Sequence, residues 1–232
     1  MTLSIVLPCY NEEANITDTV RDVLSWLKKA KIAGEVIVVD DGSKDGSLKV
    51  LSALQKRIKN LRVVRHEKNK GYGAAVRSGC DAAKGEIIGY MDSDGQFKAS
   101  DFSKLLPHMK NYDFVTGRRR HRADSPMRKM NAKLFGFLNL AVLGIWVRDI
   151  NCAMKMFRRT TWQKIRPTHA TGALVNAEMF YNLKRKKIPW YQVDVRHFKR
   201  MKGVQTGAKL SVILRMFKEM QELKRDARAS RK

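Results

Sequence analysis

The chain has 232 residues, 44% hydrophobic and 30% charged, which suits one domain with a sizeable core and excludes a disordered chain. Lys and Arg outnumber Asp and Glu by 47 to 22, and the net charge of +25 is lopsided: residues 1–117 carry +3 and residues 118–232 carry +22. The second half is therefore built to meet something anionic, whether nucleic acid, a membrane surface or a phosphorylated substrate.

The first half alternates. Leu3–Leu7 is a short apolar run ended by Pro8, and Ile16, Val20, Val23, Leu24 and Leu27 have helical spacing. Glu35–Asp40 is a β-branched run closed by Asp41-Gly42-Ser43, with a second helix running to about Ile58. Leu61–Arg65 is a third strand, Gly73–Ala83 a helix, Glu86–Met91 a fourth strand, Asp101–Met109 a helix and Asp113–Thr116 a fifth strand. The second half is less regular. Ser125–Val147 reads as mainly helical, Asn151–Phe157 as extended, Ala173–Lys187 as helical, Trp190–Phe198 as a strand, and Leu210–Arg228 as an amphipathic helix with a basic tail.

Strands alternating with helices predict an α/β fold with a mostly parallel, Rossmann-like sheet flanked by helices and a basic helical C-terminal extension. Residues 1–210 are expected to form one domain and residues 211–232 a basic tail. Three widely spaced cysteines, Cys9, Cys80 and Cys152, make neither a disulfide framework nor a zinc site and fit a reducing compartment. No signal peptide is visible. The longest apolar run, Leu134–Val147, would cover about 21 Å as a helix, short of the roughly 30 Å hydrocarbon core of a bilayer.

Ligands of such sheets bind at the carboxyl ends of the strands, which places Pro8–Glu12, Asp40–Ser43, His66–Gly73 and Asp92–Gln96 on one rim. Asp92 and Asp94, one residue apart at the end of a buried strand, can share a hard cation, Mg²⁺ or Mn²⁺, with Gln96 as a further oxygen donor. Asp40-Asp41-Gly42-Ser43 reads equally as a site for a ribose hydroxyl or base N–H and as a capped turn. Gly71-Tyr72-Gly73 fails as a dinucleotide motif, because its third glycine would fall at Val76 and it follows the third strand. No P-loop lysine motif and no G-x-S-x-G elbow occur.

Pro8-Cys9-Tyr10-Asn11-Glu12, Val38–Ser47 and Met91-Asp92-Ser93-Asp94-Gly95-Gln96, in that order and at these separations, resemble the family 2 glycosyltransferases of the GT-A fold. Asp149-Ile150-Asn151-Cys152-Ala153-Met154-Lys155-Met156-Phe157-Arg158-Arg159 is similar to a D-x-x-C-G-F-[KR] segment of dolichyl-phosphate mannose synthases and related polyprenyl-phosphate glycosyltransferases. Ala153-Met154 stands where that group has Gly-Phe, and Val204–Gly207 departs from its G-x-S-K continuation after Gly203.

The resemblance implies that residues 1–117 serve the nucleotide sugar and residues 118–210 the acceptor and membrane. Pro8, Tyr10, Glu12 and Asp40 would hold the nucleoside, while Asp92, Asp94 and Gln96 would hold the metal on the diphosphate. Arg119, Arg128, Arg200 and Lys202 would meet the acceptor phosphate or the donor diphosphate. Asp149 would orient the acceptor or act as a base, with Glu178 the alternative. The implied reaction is an inverting transfer of mannose from GDP-mannose to a polyprenyl (dolichyl) phosphate at the cytoplasmic face of a membrane. UDP-glucose is the alternative donor, and a non-lipid saccharide the alternative acceptor. Leu134–Val147, with Phe135, Phe137 and Trp146, would lie on an anionic membrane surface, with a transmembrane partner subunit as another anchor. A nucleic-acid-binding protein fits the charge but leaves the four rim motifs without a role, so no nucleic acid is expected as a partner.

Overall fold

A computed structural model describes residues 1–120, 126–202 and 219–225, with the backbone alone for 126–129. Seven strands form one sheet: β1 (Thr2–Cys9), β2 (Ala33–Asp40), β3 (Leu61–Arg65), β4 (Ile87–Tyr90), β5 (Phe114–Arg119), β6 (Lys155–Arg158) and β7 (Trp190–Val195), in the order β3-β2-β1-β4-β6-β5-β7. The helices are α1 (Ile16–Lys29), α2 (Ser47–Arg57), α3 (Tyr72–Ala82), α4 (Phe102–Leu105), α5 (Pro126–Leu143), α6 (Arg159–Ile165) and α7 (Val175–Arg185). This is the mostly parallel α/β sheet expected, with β6 alone running antiparallel to both neighbours.

The central strands are apolar without alternation because helices cover both faces. Ile5, Val6 and Leu7 of β1 and Val36 to Val39 of β2 are all fully buried. Each such side chain contributes about 1.5–3 kcal/mol on burial. The register Cys9↔Asp40↔Arg65 ends the first three strands level, so their following loops share one rim. Helix α1 buries Ile16, Val20, Val23 and Leu27 of the stripe legible in the sequence, with Leu24 half-buried and Trp26 buried in addition.

Several elements differ from expectation for local reasons. The helix expected over Asp101–Met109 is a single α-turn, α4, between two 3₁₀ turns, because Pro107 lacks an N–H and crowds the preceding turn. Helix α5 stops at Leu143, where Gly144 takes a left-handed φ of 63°, so residues 144–147 form a loop. Only 155–158 of the extended stretch is strand, and β7 ends at Val195. Helix α6 had no place in the sequence reading. Residues 219–225 are helical, while the rest of the expected C-terminal helix and tail lies outside the described residues. The three cysteines are free thiols and buried.

Candidate active site

The four predicted rim segments meet at the carboxyl ends of β1 to β4. The Ser93 hydroxyl donates to the Pro8 carbonyl (2.7 Å) and so ties the turn after β4 to the end of β1. The loops after β1 and β2 are laced together: Asn11 N–H donates to Ser43 Oγ (2.9 Å), Glu12 N–H to Ser47 Oγ (2.9 Å), and Lys44 N–H to Asn11 Oδ1 (2.8 Å). Asp40 is 1% exposed where these loops begin, and Tyr10, which follows its strand partner Cys9, is half-buried.

Asp41, in the stretch that reads equally as a ribose site and as a turn, organises the next loop. Its carboxylate accepts from Lys70 N–H (2.9 Å) and Gly71 N–H (2.8 Å) and contacts His66 Nδ1 (2.6 Å). Gly71 (φ 99°) opens α3 against the 170–172 loop, where a Cβ would stand 2.5 Å from the Thr171 carbonyl oxygen. Gly73 N–H donates to that same oxygen (2.8 Å). The G-Y-G motif thus serves close backbone packing.

Asp92 and Asp94 follow β4. Burial and the neighbouring Asp94 push the Asp92 carboxyl up to about 7, although the Tyr72 hydroxyl donates to it. Asp94 is raised as well, chiefly by burial, while Gln96 N–H (3.0 Å) stabilises its charge. Two carboxylates held against their own repulsion form a site for a cation. Among the described residues no three His, Cys, Asp or Glu side chains gather as a cage. The pair fits a Mg²⁺ or Mn²⁺ that takes its other oxygens from water and phosphate. The Gln96 side chain donates Nε2 to the Phe198 carbonyl (3.0 Å), which leaves its Oε1 as the oxygen for a metal, and Phe198 N–H returns to Gln96 O (2.9 Å).

That exchange lays residues 198–202 beside the aspartates. Arg200 Nη2 forks Glu12 (2.9 and 3.0 Å) while Nη1 reaches Asp94 (3.5 Å). Lys202 Nζ donates to the Ala14 carbonyl (3.3 Å). Both cations therefore stand on the nucleotide side of the site. Glu12 is raised, chiefly by burial, with Asn15 and Arg200 opposing the shift.

Arg119, at the end of β5, and Asp149 form a second centre. Arg119 donates to Asp149 from its backbone N (2.9 Å), Nε (2.8 Å) and Nη2 (2.6 Å). Asp149 holds a left-handed φ of 54° to present its carboxylate there. The pair opens into a groove of about 1190 Å³ lined by Arg118, Arg120, Lys133, Phe137, Trp146 and Arg148 among others. On α5, Met130, Leu134, Phe137 and Leu140 form one exposed apolar stripe, while Phe135 and Leu143 pack on the core from the opposite face. Phe137 and Trp146 are 64% and 61% exposed. Arg128 lies in the first helical turn of α5, its side chain outside the described residues.

Glu178 is placed otherwise than a rim base. It is fully buried, and its carboxylate accepts from the backbone N–H groups of Thr168 (2.6 Å), His169 (3.2 Å) and Ala170 (2.7 Å). It orders the loop that packs on α3. Sequence reasoning also passed over Tyr72 and Lys155, both inside quoted motifs but never weighed singly.

The sheet order, with the paired aspartates at the carboxyl end of β4, is that of the GT-A fold of glycosyltransferases. A glycosyl transferase family 2 model matches residues 4–166, and the chain belongs to that family. It is 31% identical over 215 residues to a dolichyl-phosphate beta-glucosyltransferase of Dictyostelium discoideum, covering 83% of this chain and 65% of that protein. It is 33% identical over 164 residues to an undecaprenyl-phosphate 4-deoxy-4-formamido-L-arabinose transferase of Pseudomonas fluorescens, covering 68% of this chain and 47% of that protein. The chain thus spans about half to two thirds of these relatives' length. A mannosyl-3-phosphoglycerate synthase from Rubrobacter xylanophilus shares the fold at a TM-score of 0.72 and 20% identity, over 100% of this chain and 74% of that one. So does a glucosyl-3-phosphoglycerate synthase from Mycobacterium tuberculosis bound to Mn²⁺, UDP and phosphoglyceric acid, at a TM-score of 0.68 and 21% identity over 94% and 78%.

Proposed function

We propose that this chain transfers a glucosyl group from UDP-glucose to the phosphate of a polyprenyl lipid, inverting the anomeric carbon. The observation that carries the reading is the groove at the Arg119–Asp149 pair, lined both by cations and by Leu134 and Phe137 of the exposed apolar stripe of α5. A lipid phosphate has the same two ends. The donor choice departs from the GDP-mannose expected of the sequence, and the comparisons favour the alternative. Relatives from Dictyostelium discoideum and Saccharomyces cerevisiae are named dolichyl-phosphate beta-glucosyltransferases, and a similar fold holds UDP with Mn²⁺.

In this reading an acceptor phosphate oxygen attacks the anomeric carbon, the bond from that carbon to the diphosphate oxygen breaks, and UDP leaves with the electron pair. A phosphomonoester with a second pKa of about 6 is already largely a dianion at neutral pH, so no proton needs removing. Asp149 then acts by fixing the Arg119 fork rather than as a base. Mg²⁺ or Mn²⁺ on Asp92 and Asp94 supplies charge neutralisation to the leaving diphosphate. Arg200 and Lys202 guard the same diphosphate. Among the described residues no helix is long and apolar enough to cross a membrane. In this reading the exposed α5 stripe, Trp146 and the flanking cations Lys133, Arg148 and Lys184 meet the lipid surface.

A second reading, transfer to a small phosphorylated acid, draws on the two phosphoglycerate synthases of similar fold. One assay separates them: purified protein with labelled UDP-glucose or GDP-mannose, undecaprenyl phosphate or 3-phosphoglycerate, and Mn²⁺ or EDTA. Label entering the organic phase from UDP-glucose, only with lipid phosphate and metal, is the expected result. Label on phosphoglycerate alone would move the acceptor, and transfer from neither donor would overturn the proposal.

A further inference from the structure

Lys155 opens β6 and is fully buried, directly paired with Tyr90 on β4 and Thr116 on β5. A buried ammonium must find partners for three donors. Lys155 Nζ donates to the carbonyl of Cys152 in a short bond and to that of Ile150 (3.4 Å). It also lies 5.4 Å from the Tyr90 ring centroid and 5.7 Å from that of Phe180.

Both carbonyls belong to the loop that starts at Asp149. The loop is closed by Cys152 N–H on the Asp149 carbonyl (2.9 Å) and tied to β5 by Gly117 N–H on the Met154 carbonyl (2.7 Å). Its start is strained, with Asp149 in the left-handed region, and its product is the carboxylate that takes three Arg119 N–H groups. A methionine would fill the same volume without the cost of burying a charge, so the charge itself has a task.

We propose that Lys155 is a positioning residue of the transfer reaction: its buried ammonium holds the Ile150 and Cys152 carbonyls and thereby keeps Asp149 and Arg119 at the mouth of the groove where the acceptor phosphate enters. This rests on the acceptor reading above. Burial lowers Lys155 to about 8, with Cys152, Asp149 and Asp92 pulling it up and Arg119 pushing it further down; the Tyr90 and Phe180 rings complete its surroundings. Above that pH the amine loses a donor and its attraction to the rings, and the loop loosens.

The test compares Lys155→Met and Lys155→Arg with the wild type by steady-state kinetics on undecaprenyl phosphate, calorimetry with UDP and Mn²⁺, and amide exchange over residues 149–154. Lys155→Met is expected to lower kcat/KM for the acceptor about a hundredfold, the usual effect of a misplacement of about 1 Å. Its UDP affinity stays within about twofold, and the loop amides exchange faster. Wild-type acceptor kcat/KM falls as pH rises through about 8, whereas Lys155→Arg, permanently charged, recovers activity and keeps it past that pH. Wild-type kinetics and loop protection in Lys155→Met would overturn the proposal, as would an alkaline limb shared by Lys155→Arg and the wild type. If the wild type transfers nothing to lipid while Lys155→Met still loses loop protection, the acceptor reading and the catalytic part of this proposal fall together. Normal transfer with unchanged protection sinks the clamp alone.

Discussion

Replacing Asp92 with Asn separates the stability of this site from its function. Asp92 is raised from 3.8 to about 7 by burial and by Asp94. A carboxyl raised on folding contributes stability that is whole below its unfolded value of about 3.9 and lost as pH rises through about 7. Three units correspond to on the order of 4 kcal/mol at most. Because the site is partly wet and the charge is shared with Asp94, about 1–2 kcal/mol is the recoverable part. An Asn at 92 keeps an oxygen to accept the Tyr72 hydroxyl and removes the charge. In EDTA at pH 8 the variant is therefore expected to melt about 3–6 °C above the wild type, with the gap closing at pH 4. Adding Mn²⁺ raises the wild-type Tm and leaves the variant unmoved, and glycosyl transfer is abolished. Scanning calorimetry at both pH values reads the melting shifts, and the labelled-donor assay reads the transfer. A variant that melts at or below the wild type at pH 8, or a gap independent of pH, would refute the reasoning.

Arg200→Ala removes the fork on Glu12 and Asp94 and is expected to weaken UDP binding with Mn²⁺ about tenfold or more by calorimetry while the acceptor KM holds, since a hydrogen bond to a charged group is worth about 1.5–3 kcal/mol. Phe137→Ser with Trp146→Ser removes two largely exposed aromatics worth about 2–3 kcal/mol each on membrane entry, so binding to anionic vesicles drops at least tenfold while Tm changes little. Glu178→Gln turns an NH₂ group toward three backbone donors, costing on the order of 2 kcal/mol and a Tm fall of about 4–8 °C, with kcat at low temperature changed less than threefold. A thousandfold fall in kcat at unchanged Tm would instead make Glu178 the base.

The first half was legible because its determinants are local. Continuous apolar strands, turn residues at their ends and one Asp-x-Asp spacing suffice to place the rim, and the register Cys9↔Asp40↔Arg65 brings the segments level. The second half depends on contacts that no local pattern encodes. Strand β6 runs antiparallel between β4 and β5, and only that reversal sets Lys155 opposite Tyr90 and Thr116. Glu178 stands in sequence only as the alternative to Asp149, and its partners, backbone N–H groups of another loop, are invisible to side-chain patterning. The Gln96 amide likewise meets the Phe198 carbonyl, 102 residues away, a contact no local pattern shows.

The lopsided charge then acquires a structural meaning. Several arginines of the second half are already forked by carboxylates: Arg118 by Asp194 at 2.5 Å, Arg119 by Asp149 at 2.6 Å, Arg158 by Asp113 at 2.8 Å and Arg166 by Asp81 at 2.7 Å. A paired arginine adds little net field, so these pairs do not themselves draw an anion in; they fix side chains that otherwise lose about 2 kcal/mol of rotamer freedom on ordering. Attraction falls to cations such as Lys133 and Arg148, exposed along the groove. Long-range pull and short-range orientation are thereby assigned to different residues. Only the first weakens with salt, because exposed charges are screened within about 8–10 Å whereas the half-buried Arg119–Asp149 fork is not. The proposed meeting of a phosphate with a diphosphate would need both, and the excess of +22 in one half supplies the first.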